Sequence, residues 1–189
     1  MLSDNIWFTR IARIEASKRL LSLERQCQIL LISYSLLSVC LSIIFLVKDS
    51  SQFDNVVLCL FSTVILVLSL FITNSDYKGR GVQLKENYIE LQNIYFLVKD
   101  LESENKENED PKRLKELRDE YIKLLHQTEN HSTADDLRAR SKQKTTRPLK
   151  ENEKQQLDVM DNLSLLRVIF SWLPFVIGTI YGFKALFNI

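Results

Sequence analysis

The chain has 189 residues, 46% of them apolar and 26% charged, and a formal net charge of +1. That balance leaves no basic stripe for nucleic-acid binding, and four glycines with three prolines are too few for a turn-rich β fold or a glycine-rich phosphate loop. The charges are also unevenly spread: all of them lie outside three runs, Gln26–Val47, Asn55–Ser75 and Val168–Phe183, of 22, 21 and 16 residues. A bilayer core about 30 Å thick takes roughly 20 helical residues, so the first two runs are long enough to span it. The third would reach about 24 Å at 1.5 Å per residue. A single soluble globule is excluded. The expected fold is an all-α membrane protein with an N-terminal amphipathic helix, a transmembrane helical hairpin, a cytoplasmic antiparallel coiled-coil hairpin and a third hydrophobic helix at the C-terminus.

Residues 1–28 form the arm. Trp7, Ile11, Ile14 and Leu21 recur on one helical face, with Arg10, Arg13, Lys18, Arg19 and Arg25 elsewhere. Tryptophan with basic residues suits a helix at the headgroup level, which makes Trp7, Arg10 and Arg13 interfacial candidates. The same stripe could instead pack on the protein's own endodomain, and the two readings are compatible. The hydrophobic run that follows is not expected to be a cleaved signal peptide, because a charged arm precedes it and no small-residue cleavage pattern follows.

Residues 29–73 read as the transmembrane hairpin, closed by the short connection Lys48–Asp54. Five Lys and Arg in the arm face one in that connection, and Lys78, Arg80 and Lys85 follow the second run. The positive-inside rule then puts the N-terminus and residues 76–160 in the cytoplasm and the connection outside. Ser35, Ser38 and Ser42 share a face of the first span; Cys59, Ser62 and Ser69 lie roughly along one face of the second. Such hydroxyl stripes either let helices approach or line a narrow aqueous path, so Ser35, Ser38, Ser42, Ser62 and Ser69 are candidate packing or pore-lining residues. No acid or base interrupts these two runs, which argues against a proton relay or coupled transporter. Cys27, Cys40 and Cys59 form neither a CxxC pair nor an even-numbered framework and read as reduced packing residues.

Residues 74–127 carry a heptad pattern. Leu84, Tyr88, Leu91, Tyr95 and Val98 are spaced four, three, four and three, an a/d seam that is a candidate oligomer interface or one side of a local hairpin. The seam pauses over the acidic stretch Glu102–Pro111 and resumes at Leu114, Leu117, Tyr121 and Leu124. That stretch lacks the alternation and glycine of a calcium loop and reads as a solvated turn. His126 and His131 are five apart, unlike zinc ligands one helical turn apart, and the serines of the membrane runs have no histidine near them in sequence to activate them. No enzyme, cofactor or metal site is expected. Residues 128–162 hold few aliphatics and read as a polar linker, or as a segment that orders on a partner.

Residues 163–189 form the C-terminal hydrophobic helix, with Arg167 at its entry, Pro174 inside it, a Gly178–Gly182 GxxxG pair and Lys184 near its end. It reads as a third, kinked span, the rival being a re-entrant helix bent at Pro174 that leaves Ile189 on the cytoplasmic side.

Three local sequences in this order, TRIARIEASKRL (Thr9 to Leu20), NYIELQNIYFLVKDL (Asn87 to Leu101) and ENHSTADDL (Glu129 to Leu137), flank the hydrophobic hairpin and the leucine-rich helix. Over about residues 7–137 the layout resembles the SLATT-type two-transmembrane effectors of bacterial conflict systems. The resemblance implies a bacterial inner-membrane effector that oligomerises and permeabilises the membrane. Its signal would come from a partner nucleotidyltransferase, nucleotide sensor or reverse transcriptase. The third hydrophobic segment departs from a two-span plan. The alternative function is a membrane-anchored scaffold or regulator holding a cytoplasmic partner through its coiled coil.

Overall fold

The computed structural model describes residues 1–48, 51–103, 111–143 and 146–187. Among these residues the regular structure is all helical: α1 (Leu2–Val47), α2 (Gln52–Ser75), α3 (Tyr77–Ser103), α4 (Pro111–Gln127), α5 (Thr133–Lys142) and α6 (Glu151–Phe187). Most of the expected acidic turn (104–110) and Ile189 lie outside the described residues. The helices divide between two compact units, Met1–Ser22 with Tyr77–Met160, and Leu23–Asp76 with Asp161–Ile189.

The first, charged unit is built on the resumed heptad. Leu91, Ile94 and Val98 of α3 meet Leu117 and Leu124 of α4, and Ile6 of α1 closes the cluster. Proline at the first position of α4 fits a helix start, where its missing N–H would have had no partner. Ala16 and Leu20 of α1 pack on Leu84. There α1 and α3 come close, because Gly81 has no side chain: a Cβ on it would stand 3.0 Å from Leu21 Cδ2, and the Ser17 hydroxyl donates to the Gly81 carbonyl at 2.8 Å.

Residues 128–162 are not an unstructured linker where they are described. Ser132 and Asp135 form a reciprocal capping box that opens α5, and α6 starts at Glu151. Phe8 and Ile11 of α1 bury Ala139, and Leu137 is buried as well. Ion pairs compensate for the scarcity of apolar surface, as described below.

The second unit is apolar outside as well as inside. Leu37, Leu41 and Phe45 of α1 form its small core with Leu58 and Phe61 of α2 and Phe175 and Ala185 of α6 around them, while Ile32, Leu46, Phe53 and Phe170 stand exposed. A surface of this kind is solvated by lipid rather than water. A second capping box, Ser51 with Asp54, starts α2, and Asp76 in the left-handed region (φ 43°) ends it. α6 runs uninterrupted through Pro174 beside α1, in the same direction: Tyr34, Leu37, Leu41 and Lys48 meet Ser171, Gly178, Gly182 and Ala185 in turn. Among the described residues three helices, α1, α2 (continuing into α3) and α6, are long and apolar enough to cross a membrane.

Candidate functional site

In the membrane unit the serines fall into two groups. The Ser38 and Ser62 hydroxyls share a hydrogen bond of 3.2 Å between α1 and α2, and Ser42 donates to the Ser38 carbonyl at 2.9 Å. Ser62 also reaches the Leu58 carbonyl at 2.9 Å. Ser35 is exposed on α1, and Ser69 is partly buried on α2. The hairpin thus brings Ser38 and Ser62 together and leaves Ser35 unshielded on the neighbouring part of the α1 face. Tyr34, absent from the candidate residues, is buried and donates to the Ser171 carbonyl at 2.7 Å, a carbonyl three residues before Pro174. The glycine pair is used inside the chain: a Cβ at Gly178 or Gly182 would stand 2.9 Å from Leu37 Cδ2 or Leu41 Cδ2. Lys48 donates to the carbonyls of Ala185, at 2.6 Å, and of Leu186. These are C-terminal carbonyls of α6, which have no partner in their own helix.

The charged unit has a polar interior that sequence spacing alone did not reveal. Arg13 is 1% exposed. It donates to the Asn87 side chain and to the carbonyls of Leu124, at 3.1 Å, and Leu125, at 3.2 Å, while Asn87 also donates to Leu124 at 2.8 Å. A buried cation is here stabilised by the negative end of α4, in place of a carboxylate. Burial lowers the Arg13 pKa from its ordinary value, with the nearby Tyr121 acting the other way. The interfacial role expected of Arg13 is therefore corrected: its charge is enclosed by protein. Arg10 reaches Gln92 at 3.3 Å, and Trp7 packs edge-on to Phe8 beside Ala139. These contacts pack the arm's apolar stripe on its own unit.

Asp135, fully buried, receives Arg19 in two hydrogen bonds of 2.8 and 3.0 Å. Burial alone would raise its carboxyl. Hydrogen bonds from Arg19 and from the Ser132 hydroxyl and backbone, with the Arg19 charge, bring it below the usual value. Glu15 behaves alike: desolvation raises it, but Lys142 at 2.5 Å and Lys18 at 3.1 Å pull it down overall. Arg140 bridges Asp136 at 3.0 Å and Glu153 at 2.8 Å, tying α5 to α6. His131 lies partly buried at the entrance of α5. Burial, joined by the Arg13 charge, depresses its pKa against the attraction of Asp136 and Asp135. A cavity of about 330 Å³ beside it is lined by Asn5, Phe8, Thr9, Tyr121, Asp136 and Arg147.

The candidate oligomer seam is also relocated. Leu84, Leu91 and Val98 are at most 1% exposed, and Tyr95 packs on the rim of the same core. Tyr88 is partly buried. The seam is spent inside one chain, because α4 and the arm cover it.

A charged helical unit joined to helices of membrane-spanning length defines an all-α membrane protein. The family comparison agrees and narrows it: the chain belongs to the SMODS and SLOG-associating 2TM effector domain family 5, whose model matches residues 1–184. None of the curated proteins and none of the solved structures matches the chain. The match runs through the third apolar helix of a family named for two.

Proposed function

We propose that the protein is a membrane effector of a bacterial conflict system that permeabilises the inner membrane when a partner acts on its charged unit. Family membership supports the effector role; the observation that carries the permeation reading is the hydroxyl set on otherwise apolar helices. Ser38 and Ser62 are paired between α1 and α2, while Ser35 and Ser42 face outward. Two uncharged helices enclose no lumen, so conduction needs several copies. In the sealed state the hydroxyls pack helix to helix; in the open state Ser35, Ser38, Ser42, Ser62 and Ser69 turn towards water. Hydroxyl contacts in membranes are worth only about 0.6 to 2 kcal/mol each, so exchanging them for water is a modest change.

The proposed topology keeps the N-terminus and residues 76–160 cytoplasmic, by the five-to-one Lys and Arg asymmetry. α6 ascends beside α1 and carries the C-terminus to the side of the α1–α2 connection. The partner is of nucleotidyltransferase, nucleotide-sensor or reverse-transcriptase type. The scaffold reading has one observation in its favour: Val82, Ile89 and Phe96 leave an exposed apolar line, one residue per heptad, along the outer face of α3.

Dye entry and growth arrest on overproduction or triggering test the permeation reading. Ser38→Leu with Ser42→Leu is expected to abolish dye entry while the protein still inserts. Triggered cells that stay impermeable to ions and dyes would turn the assignment to the scaffold.

A further inference from the structure

We propose that the polar cavity of the charged unit, between the arm, α4 and the segment around α5, binds a small amphoteric metabolite with an anionic group and an amine. The site is separate from the membrane serines and stands whether or not the protein forms a pore. At about 330 Å³ the cavity lies at the small end of ligand pockets. Asn5 and Thr9 of α1 line it one helical turn apart, Tyr121 of α4 meets Thr9, and His131, Asp136 and Arg147 complete the wall.

Its polar groups are of two kinds. The Arg147 guanidinium lies over the Phe8 ring, 4.4 Å from its centroid, and one of its nitrogens donates to Asp4 and to Asn5, each at 3.0 Å. Among the described residues its other nitrogens, and the amide nitrogen of Asn5 beside it, are left to donate. Adjacent donors on a guanidinium and an amide suit a phosphate or a carboxylate. The other kind accepts. The Thr9 hydroxyl donates to the Asn5 carbonyl at 3.0 Å, so in its 2.8 Å contact with Tyr121 the tyrosine is the donor, and the Tyr121 oxygen keeps its lone pairs. Arg140 takes one oxygen of Asp136 at 3.0 Å and leaves the second. A carboxylate oxygen and a phenolic oxygen suit an amine.

Buried polar atoms without partners are an independent sign of a ligand, because folded chains rarely leave them so. His131 lines the cavity, and its Nδ1 is buried with no hydrogen-bond partner among the described residues. The nearby Arg13 is enclosed by an amide and two carbonyls in place of a carboxylate, its Nε is unpaired, and its charge is felt at His131. Thr128 Oγ1, just past α4, is unpaired as well. An anionic group in the cavity offsets the Arg13 charge across a low-dielectric interior. Asp136 on the same wall repels a plain anion, so the ligand needs its amine. His131 Nδ1 can pair with either end of such a molecule.

Amino acids and the nucleotides of amino-bearing bases share this chemistry, and titration separates them. Full-length protein in lipid nanodiscs is titrated by calorimetry with the 5′-monophosphates of adenosine, guanosine and cytidine, with the standard amino acids, and with inorganic phosphate. Trp7, which packs edge-on to the cavity's Phe8 at 5.0 Å, reports locally by fluorescence in a Trp172→Phe background. The expected result is saturable binding of one of the two sources at or below about 1 mM. The binder's analogue lacking the amine should bind at least about tenfold more weakly. Arg147→Met keeps an apolar stem on Phe8 but removes the donors, and should weaken the binder about tenfold or more. Asp136→Asn should erase the preference for the amine; if that variant melts early, Tyr121→Phe, which removes the other acceptor, makes the same test. Inorganic phosphate that binds as tightly as any candidate would show an adventitious ion only and overturn the proposal. So would an equal affinity for the analogue without the amine, or binding unchanged in both Arg147→Met and the acceptor variant. If no candidate saturates, water fills the cavity and the proposal fails.

Discussion

Asp135 shows what one side chain does in the charged unit. At the third position of α5 it accepts from the N-cap Ser132, completing the capping box, and it holds Arg19 from α1 in a buried pair. Asp135→Ala leaves Arg19 without its carboxylate and removes the carboxylate half of the α5 capping box, while the Ser132 hydroxyl still caps the backbone, so the expected loss is about 3 to 5 kcal/mol. Amide hydrogen exchange over residues 133–142 should then rise towards that of an open segment while α4 keeps its protection. The pH response follows from the same groups. Asp135 and Glu15 are depressed in the folded state, so their stabilisation is present above their ordinary values of 3.8 and 4.5 and is lost as pH falls below them. His131 is depressed too, which means the unfolded chain binds its proton first. Stability therefore also falls as pH drops below the ordinary value of 6.5. Trp7 fluorescence in a Trp172→Phe background, followed in denaturant at pH 7.5, 5.5 and 3, should show both decrements, and His131→Gln should remove only the first.

At the scale of elements, the heptad on α3 is a folding surface. Leu91 is wholly buried between α4 and the arm, and Leu91→Asp puts an unpaired carboxylate there. The expected effect is unfolding of the α3–α4 hairpin, well beyond the roughly 2 to 5 kcal/mol of a Leu→Ala cavity. Limited proteolysis around residues 111–127 would report it, and intact resistance would contradict the packing. The α1–α6 contact depends in the same way on Gly178 and Gly182. Gly182→Leu cannot be placed without displacing Leu41, so α6 should separate from α1. In a background lacking Cys27, Cys40 and Cys59, cysteines at positions 34 and 171, whose native residues are joined by the reach of the Tyr34 ring, ought to be bridged readily by a short bifunctional maleimide in the native protein and poorly in Gly182→Leu.

For the whole molecule, the proposed topology makes a labelling pattern. In a background lacking Cys27, Cys40 and Cys59, a cysteine at Gln52 should react with an impermeant maleimide from outside, and one at Glu116 only after lysis. Labelling of position 116 in intact cells would invert the orientation. A C-terminal reporter active only in the cytoplasm should stay silent, because α6 climbs with α1; strong activity would place its end on the other side.

Membrane character and the order of the helices were legible without coordinates, because they follow from local quantities: the length of uncharged runs against bilayer thickness, and periods of 3.5 and 3.6 residues. The family likeness was legible for the same reason, in short contiguous motifs. What each stripe faces was not, since periodicity marks a face without naming its partner. Arg13 read as a headgroup ligand until the fold put the α4 carbonyls around it. Leu84, Leu91 and Val98 suited a neighbouring copy as well as they suit α4 and the arm. The segment after Thr128 looked unable to order because its aliphatics are few; its order comes from Arg19, Glu15 and Glu153, which stand far off in the chain or beyond the α5–α6 connection and are brought near only by folding. Composition determined the solvent of each part of this protein, and tertiary structure decided which faces were left for anything else.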